Sequence, residues 1–134
     1  MTVQLVYCDT SALAKLVMVE DGSDDMTRMW ESPATRLVSS ELLVTELLRT
    51  ARRHSAASAK LALHVVAGVH FVALSRDILM SAGNLEPPAL RSLDAIHLAT
   101  ALALGHAVAA LATYDQRMLQ AAQAHGLAVL PSPI

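Results

Sequence analysis

Val3-Gln4-Leu5-Val6-Tyr7-Cys8 is a short, apolar, β-branched run that stops at Asp9-Thr10-Ser11. It reads as a strand buried on both faces, and Ser11 or Asp9 can cap a helix over 12–19 directly behind it. The same unit recurs down the chain. Further strands are predicted over 36–39, 70–74, 107–111 and 127–130, and further helices over 24–31, 41–54, 56–67, 76–82, 92–104 and 115–125. Asp21-Gly22-Ser23, Pro33, Ser55, Gly83, Gly105 and Gly126 supply the punctuation. Strands alternating with helices predict one α/β domain over 1–134 with a mostly parallel central sheet and right-handed crossovers.

Composition agrees with a folded single domain. The chain has 134 residues, 54% hydrophobic and 16% charged, which is the opposite of a disordered balance. Aromatic residues are only 3%, so base stacking on an aromatic platform is excluded as a binding mode. Ten Lys and Arg against twelve Asp and Glu give a net charge of −2, which excludes a polybasic binder working by bulk charge. Cys8 stands alone in an apolar run, so no intramolecular disulfide is available and a reducing compartment is expected. The first apolar stretch is too short for a signal segment, and 93–112 is broken by Asp94, His97, Thr100, Gly105 and His106. A soluble, cytoplasmic protein with no membrane partner is the expectation.

In an open parallel sheet the functional crevice lies beyond the carboxyl ends of the strands. Asp9 follows the first strand directly, and Asp115 follows the fourth after Ala112-Thr113-Tyr114. Asp94 opens a helix whose next ten residues are apolar except His97 and Thr100, which predicts a carboxylate at the rim of the core. Glu46 falls outside the apolar arc of Leu43, Val44, Leu47, Leu48 and Ala51, beside Arg49, Thr50 and Arg53. Each acid has an ordinary explanation. Asp9, Asp94 and Asp115 can serve helix N-termini, and Glu46 can pair on a solvated face. Those explanations do not account for several acids converging on one edge of a sheet, where like charges repel unless a cation is present. Mg²⁺ or Mn²⁺ suits an all-carboxylate set. The six histidines, at 54, 64, 70, 97, 106 and 125, are scattered without zinc-site spacing and read as structural. A carboxylate-held ion pair suits phosphodiester hydrolysis.

Four segments carry a family resemblance: Val6-Tyr7-Cys8-Asp9-Thr10-Ser11-Ala12-Leu13, Ser39 to Glu46-Leu47 with Arg49, Leu93-Asp94-Ala95-Ile96-His97-Leu98-Ala99-Thr100-Ala101, and Thr113-Tyr114-Asp115 with Leu119. Together they resemble the successive motifs of PIN-domain ribonucleases, and among these the VapC-type toxins of prokaryotic toxin–antitoxin pairs. The resemblance implies a PIN-like three-layer α/β/α domain with a sheet of four to five strands. It also implies that Asp9, Glu46, Asp94 and Asp115 form a catalytic pocket for one or two Mg²⁺ or Mn²⁺ ions, with Ser11 and Thr113 lining it. A metal-activated water would attack RNA phosphorus in line, leaving 5′-phosphate and 3′-hydroxyl ends. The implied partners are RNA, a VapB-type antitoxin covering the groove near the first helices, and a second copy of the chain in a homodimer.

Arg49, Arg52 and Arg53 share the polar side of the Glu46 helix, and Arg49 and Arg53 are the candidates for RNA backbone contacts. Leu13, Leu16, Val17, Met18 and Val19, with Met26, Met29 and Trp30, offer either core or a partner-helix surface. Two other functions remain open from the residues: a non-catalytic binding module with the same fold, and a haloacid-dehalogenase-like phosphatase. The phosphatase chemistry wants an acid two residues after Asp9, where Ser11 stands.

Overall fold

The structure, a computed structural model, describes residues 2–131. Five strands, β1 (Gln4–Cys8), β2 (Thr35–Ser40), β3 (His70–Val72), β4 (Val108–Ala112) and β5 (Val129–Leu130), form one sheet in the order β3-β2-β1-β4-β5. Every pairing is parallel, so the mostly parallel sheet expected from the sequence is wholly parallel. The helices are α1 (Thr10–Leu13), α2 (Ser23–Glu31), α3 (Leu42–His54), α4 (Ala56–Gly68), α5 (Arg76–Gly83), α6 (Ser92–Leu104) and α7 (Gln116–Ala124). No helix among the described residues is long and apolar enough to cross a membrane.

Alternation along the strands builds the layers. Val6 and Cys8 of β1, Leu37 of β2 and Ala112 of β4 enter one core with Leu13, Met26, Leu43, Leu47 and Val65. Tyr7, Val38 and Leu111, their sequence neighbours, enter the other with Leu98, Ala101, Met118 and Ala122. Successive side chains on a strand point to opposite faces, so each strand serves both layers. α1 to α4 cover one face, and α6 and α7 cover the other.

The first helix departs from expectation. Asp9 accepts from the Ala12 N–H and starts the helix at Thr10. The chain then tightens into a 3₁₀ turn over Ala14–Leu16 instead of running to Val19. Tertiary contacts explain the early stop. Ser58 of α4 donates to the Val17 carbonyl at 2.7 Å, and Ser23 donates to the Met18 carbonyl at 2.9 Å, so both carbonyls have partners outside any helix ladder. Of the apolar residues considered for a partner surface, Leu13, Val17 and Met26 are core, Leu16, Met18, Met29 and Trp30 pack against it, and Val19 is fully exposed.

Gly22 ends this excursion at φ +96°, the left-handed region. A Cβ there would lie 2.6 to 2.9 Å from ring atoms of Tyr114. Gly22→Ala therefore combines backbone strain with a clash, and a loss of about 1–3 kcal/mol is expected. Thermal unfolding should show a melting temperature lowered by several degrees; an unchanged value would mean that the Gly22–Tyr114 contact relaxes freely.

Candidate active site

The strand order places the change of winding direction between β1 and β4: β2 and β3 extend the sheet on one side of β1, and β4 and β5 on the other. The crevice opens at that point, beyond the strand ends. Asp9 leaves β1 into it and Thr113-Tyr114-Asp115 leaves β4 beside it, with the Asp9 N–H bonded to the Ala112 carbonyl at 3.3 Å.

Hydroxyl groups sew the two strand ends together. Thr113 Oγ1 donates to Asp9 Oδ2 at 2.5 Å, and Ser11 Oγ donates to Asp9 Oδ1 at 2.7 Å. Ser11 Oγ in turn accepts from the Tyr114 N–H at 2.8 Å, and Thr113 Oγ1 accepts from the Asp115 N–H at 3.1 Å. Asp9 is buried, 3% exposed. Burial dominates its ionisation and raises its carboxyl above the ordinary range, against the hydrogen bonds from Ser11, Thr113 and Ala12 and the influence of His97.

Glu46, on α3, is half-buried and not on a free solvated face. Its Oε1 accepts from Thr10 Oγ1 at 2.8 Å and lies 2.7 Å from His97 Nε2 on α6. Burial pushes this carboxyl upward, but the His97 hydrogen bond and charge, with Thr10, outweigh it and hold Glu46 below its usual value. Asp94, in the first turn of α6, is raised by burial and then by the negative charge of Asp115, with Arg91 and His97 opposing and Glu46 adding to the rise. Asp94 thus registers the fields of two other acids, which is the signature of carboxylates crowded together. Arg91 answers part of that crowding: Nε stands 3.5 Å from Asp94 Oδ2, and Nη2 3.4 Å from Asp115 Oδ2.

Asp9, Glu46, Asp94 and Asp115 therefore meet at one end of the sheet, joined through Thr10, Ser11, Thr113, His97 and Arg91. Among the described residues, no group of three or more His, Cys, Asp and Glu side chains is arranged, as it stands, to hold a metal ion. The donors themselves are carboxylate and hydroxyl oxygens, the hard set that suits Mg²⁺ or Mn²⁺. Capping and site membership coincide: Asp9 caps α1, and Asp115 Oδ1 caps α7 through the Arg117 and Met118 N–H groups, leaving Oδ2 to Arg91. Arg49 and Arg53 are exposed on α3, at i+3 and i+7 from Glu46, the spacing that continues its face along the helix.

Sequence reasoning missed Tyr7, Thr10, Arg91 and His97. Two signals were present for them: Arg91 and His97 lie three residues either side of Asp94, the spacing of one helix face, and His97 interrupts an otherwise apolar helix.

Because its carboxyl is raised in the folded state, Asp9 contributes stability only when protonated, and that contribution is lost as pH rises through the folded value. Asp9→Asn should thus raise the melting temperature of metal-free protein at neutral pH, and the gap to the wild type should narrow on acidification. A variant less stable than the wild type at pH 7 would show that the Asp9 hydrogen bonds outweigh burial.

Three comparisons bear on this arrangement. The model of the PIN domain matches residues 6–124. Ribonuclease VapC46 of Mycobacterium tuberculosis is 38% identical over 125 residues, 93% of this chain and 95% of that protein. Ribonuclease VapC35 of the same organism is 39% identical over 130 residues, 94% and 96% respectively. Among solved structures, the sarcin–ricin loop cleaving toxin VapC20 of Mycobacterium tuberculosis has a TM-score of 0.69 at 18% identity, covering 91% of this chain and 95% of that one. VapBC-1 from nontypeable Haemophilus influenzae has a TM-score of 0.65 at 18% identity, covering 94% and 96%. With the family model spanning most of the chain and relatives near 40% identity along almost their whole length, the protein belongs to the PIN-domain family.

Proposed function

We propose that this protein is the endoribonuclease toxin of a toxin–antitoxin pair and hydrolyses RNA phosphodiester bonds with Mg²⁺ or Mn²⁺. The observation that carries the reading is the meeting of Asp9, Glu46, Asp94 and Asp115 at the change of winding direction, in a chain whose relatives are named ribonucleases. The same crevice on a phosphatase would need an acid at position 11. Ser11 stands there with its hydroxyl already committed to Asp9 and Tyr114.

The four carboxylates would hold the divalent ion or ions, with Arg91 yielding its place between Asp94 and Asp115. A divalent ion so bound supplies the positive charge that activates water and offsets the developing charge on the phosphate. The chain's own residues do the rest. Ser11 and Thr113 fix both Asp9 oxygens, Thr10 and His97 fix Glu46, and the α7 N-terminus fixes Asp115. Arg49 and Arg53 carry positive charge away from the pocket along α3 and would hold the RNA backbone on either side of the scissile bond. A VapB-type antitoxin is the expected partner: the similar structures include VapBC assemblies, among them VapBC2 from Rickettsia felis with a fragment of its promoter DNA.

Purified protein should cleave RNA with Mg²⁺ or Mn²⁺ and stop in EDTA. Asp9→Asn and Asp94→Asn should each lower the rate by at least about 100-fold. Saturating Mn²⁺ should raise the wild-type melting temperature by several degrees, as an ion bound only by the folded state stabilises it by about 2.7 kcal/mol at 100 times its Kd. Unchanged cleavage by Asp9→Asn removes the mechanism, and an inactive wild type that still has its fold favours a binding module.

Arg49→Gln with Arg53→Gln tests the RNA path separately. Removing two phosphate contacts should flatten the plot of log affinity against log salt by about 1.4 for single-stranded RNA, with kcat close to wild type. A slope identical to the wild type would take both arginines off the path.

A further inference from the structure

Glu46 alone of the four acids is held by a chain of buried groups reaching through the core. Its Oε1 takes both the Thr10 hydroxyl and His97 Nε2, while Oε2 receives no hydrogen bond from the described residues. His97 is 2% exposed and its other nitrogen, Nδ1, stands 2.7 Å from the hydroxyl of Tyr7, which is fully buried on β1. The Tyr7 oxygen accepts from the Ser40 N–H at 3.2 Å at the end of β2.

A carboxylate only accepts, so Nε2 carries a hydrogen toward Glu46. Nδ1 pairs with the Tyr7 hydroxyl, and the Tyr7 oxygen accepts from the Ser40 N–H. The links run from the Ser40 N–H through Tyr7 and His97 to Glu46. Such a wire begins on sheet backbone and ends on one oxygen of a flexible side chain with three rotatable bonds. Hydrogen-bonded supports of this kind orient the carboxylates that bind metal.

We infer that Tyr7 and His97 are positioning residues: Tyr7 holds the His97 ring, and His97 holds Glu46 by Oε1 with Oε2 presented to a divalent cation. The inference rests on the metal-dependent reading of the site. Neither residue touches RNA or the reacting atoms; both act through Glu46. A pair that merely filled the core would affect stability and nothing else.

The test uses the full chain and Mn²⁺ as the probe. Calorimetric titration of Tyr7→Phe should show Mn²⁺ affinity weakened by about tenfold or more. At a fixed, subsaturating Mn²⁺ concentration kcat should fall while the KM for RNA stays within about twofold, and raising Mn²⁺ should recover kcat. His97→Gln, which keeps an N–H donor for Glu46, should bind Mn²⁺ more tightly than His97→Leu.

Tyr7→Phe with a lowered melting temperature but wild-type Mn²⁺ affinity overturns the positioning role and leaves the nuclease reading standing. Should that variant fail to fold, the His97 pair decides, since equal Mn²⁺ affinity of His97→Gln and His97→Leu sinks the inference. A wild type that binds no Mn²⁺ overturns both readings at once.

Discussion

A carboxylate buried between the ends of two neighbouring parallel strands is the constraint on which the rest of this structure depends. Asp9 sits where water is nearly excluded, and such a group is tolerated only with hydrogen bonds on each oxygen. Thr113, Ser11 and the Ala12 N–H provide them. Thr113 can do so only because β4 lies beside β1 in register, with Cys8 opposite Ala112. The sheet order and the buried acid are therefore two aspects of one arrangement: a chain that wound in one direction only would leave no adjacent strand end to supply Thr113.

The same topology brings in the other acids. α3 follows β2 on one face of the sheet, α6 precedes β4 on the other, and both reach the crevice, so Glu46 and Asp94 arrive from opposite layers. His97 bridges the layers by meeting Glu46 across the end of the sheet. Asp94 feels this gathering: burial raises its carboxyl, and the negative charges of Asp115 and Glu46 add to the rise. The fold offsets this with local positive charge from Arg91 and with hydroxyl and N–H donors.

Much of this was legible in the sequence because the relevant signals are local. A short apolar run marks β1, serine and aspartate caps mark helix starts, and the position of Asp9 and Asp115 just after strands places them at one edge. What the sequence hid was tertiary in origin. The early end of the first helix depends on Ser58, 41 residues away from the Val17 carbonyl it binds. Helix periodicity describes only α3 itself, so it leaves Glu46 the alternative of a solvated face; the partner that distinguishes the two stands 51 residues on, at His97. The histidines have no metal-ligating spacing, and the second role of a buried imidazole, joining a hydroxyl to a carboxylate, has no spacing in sequence at all.

The distribution of charge resolves an apparent conflict between a chain of net charge −2 and a polyanionic substrate. Net charge governs long-range steering, but contacts within a Debye length of about 8 Å at physiological salt depend on local arrangement. Glu46 lies at the boundary of the two local fields. On its buried side are the other acids; along the exposed side of the same helix run the guanidinium groups of Arg49 and Arg53. A phosphodiester lying along α3 would meet guanidinium groups along the helix and approach the acids only through a cation that neutralises them. On the proposed reading, selectivity for a phosphate presented together with a divalent ion would follow from one helix carrying both signs of charge, without any requirement for a basic protein.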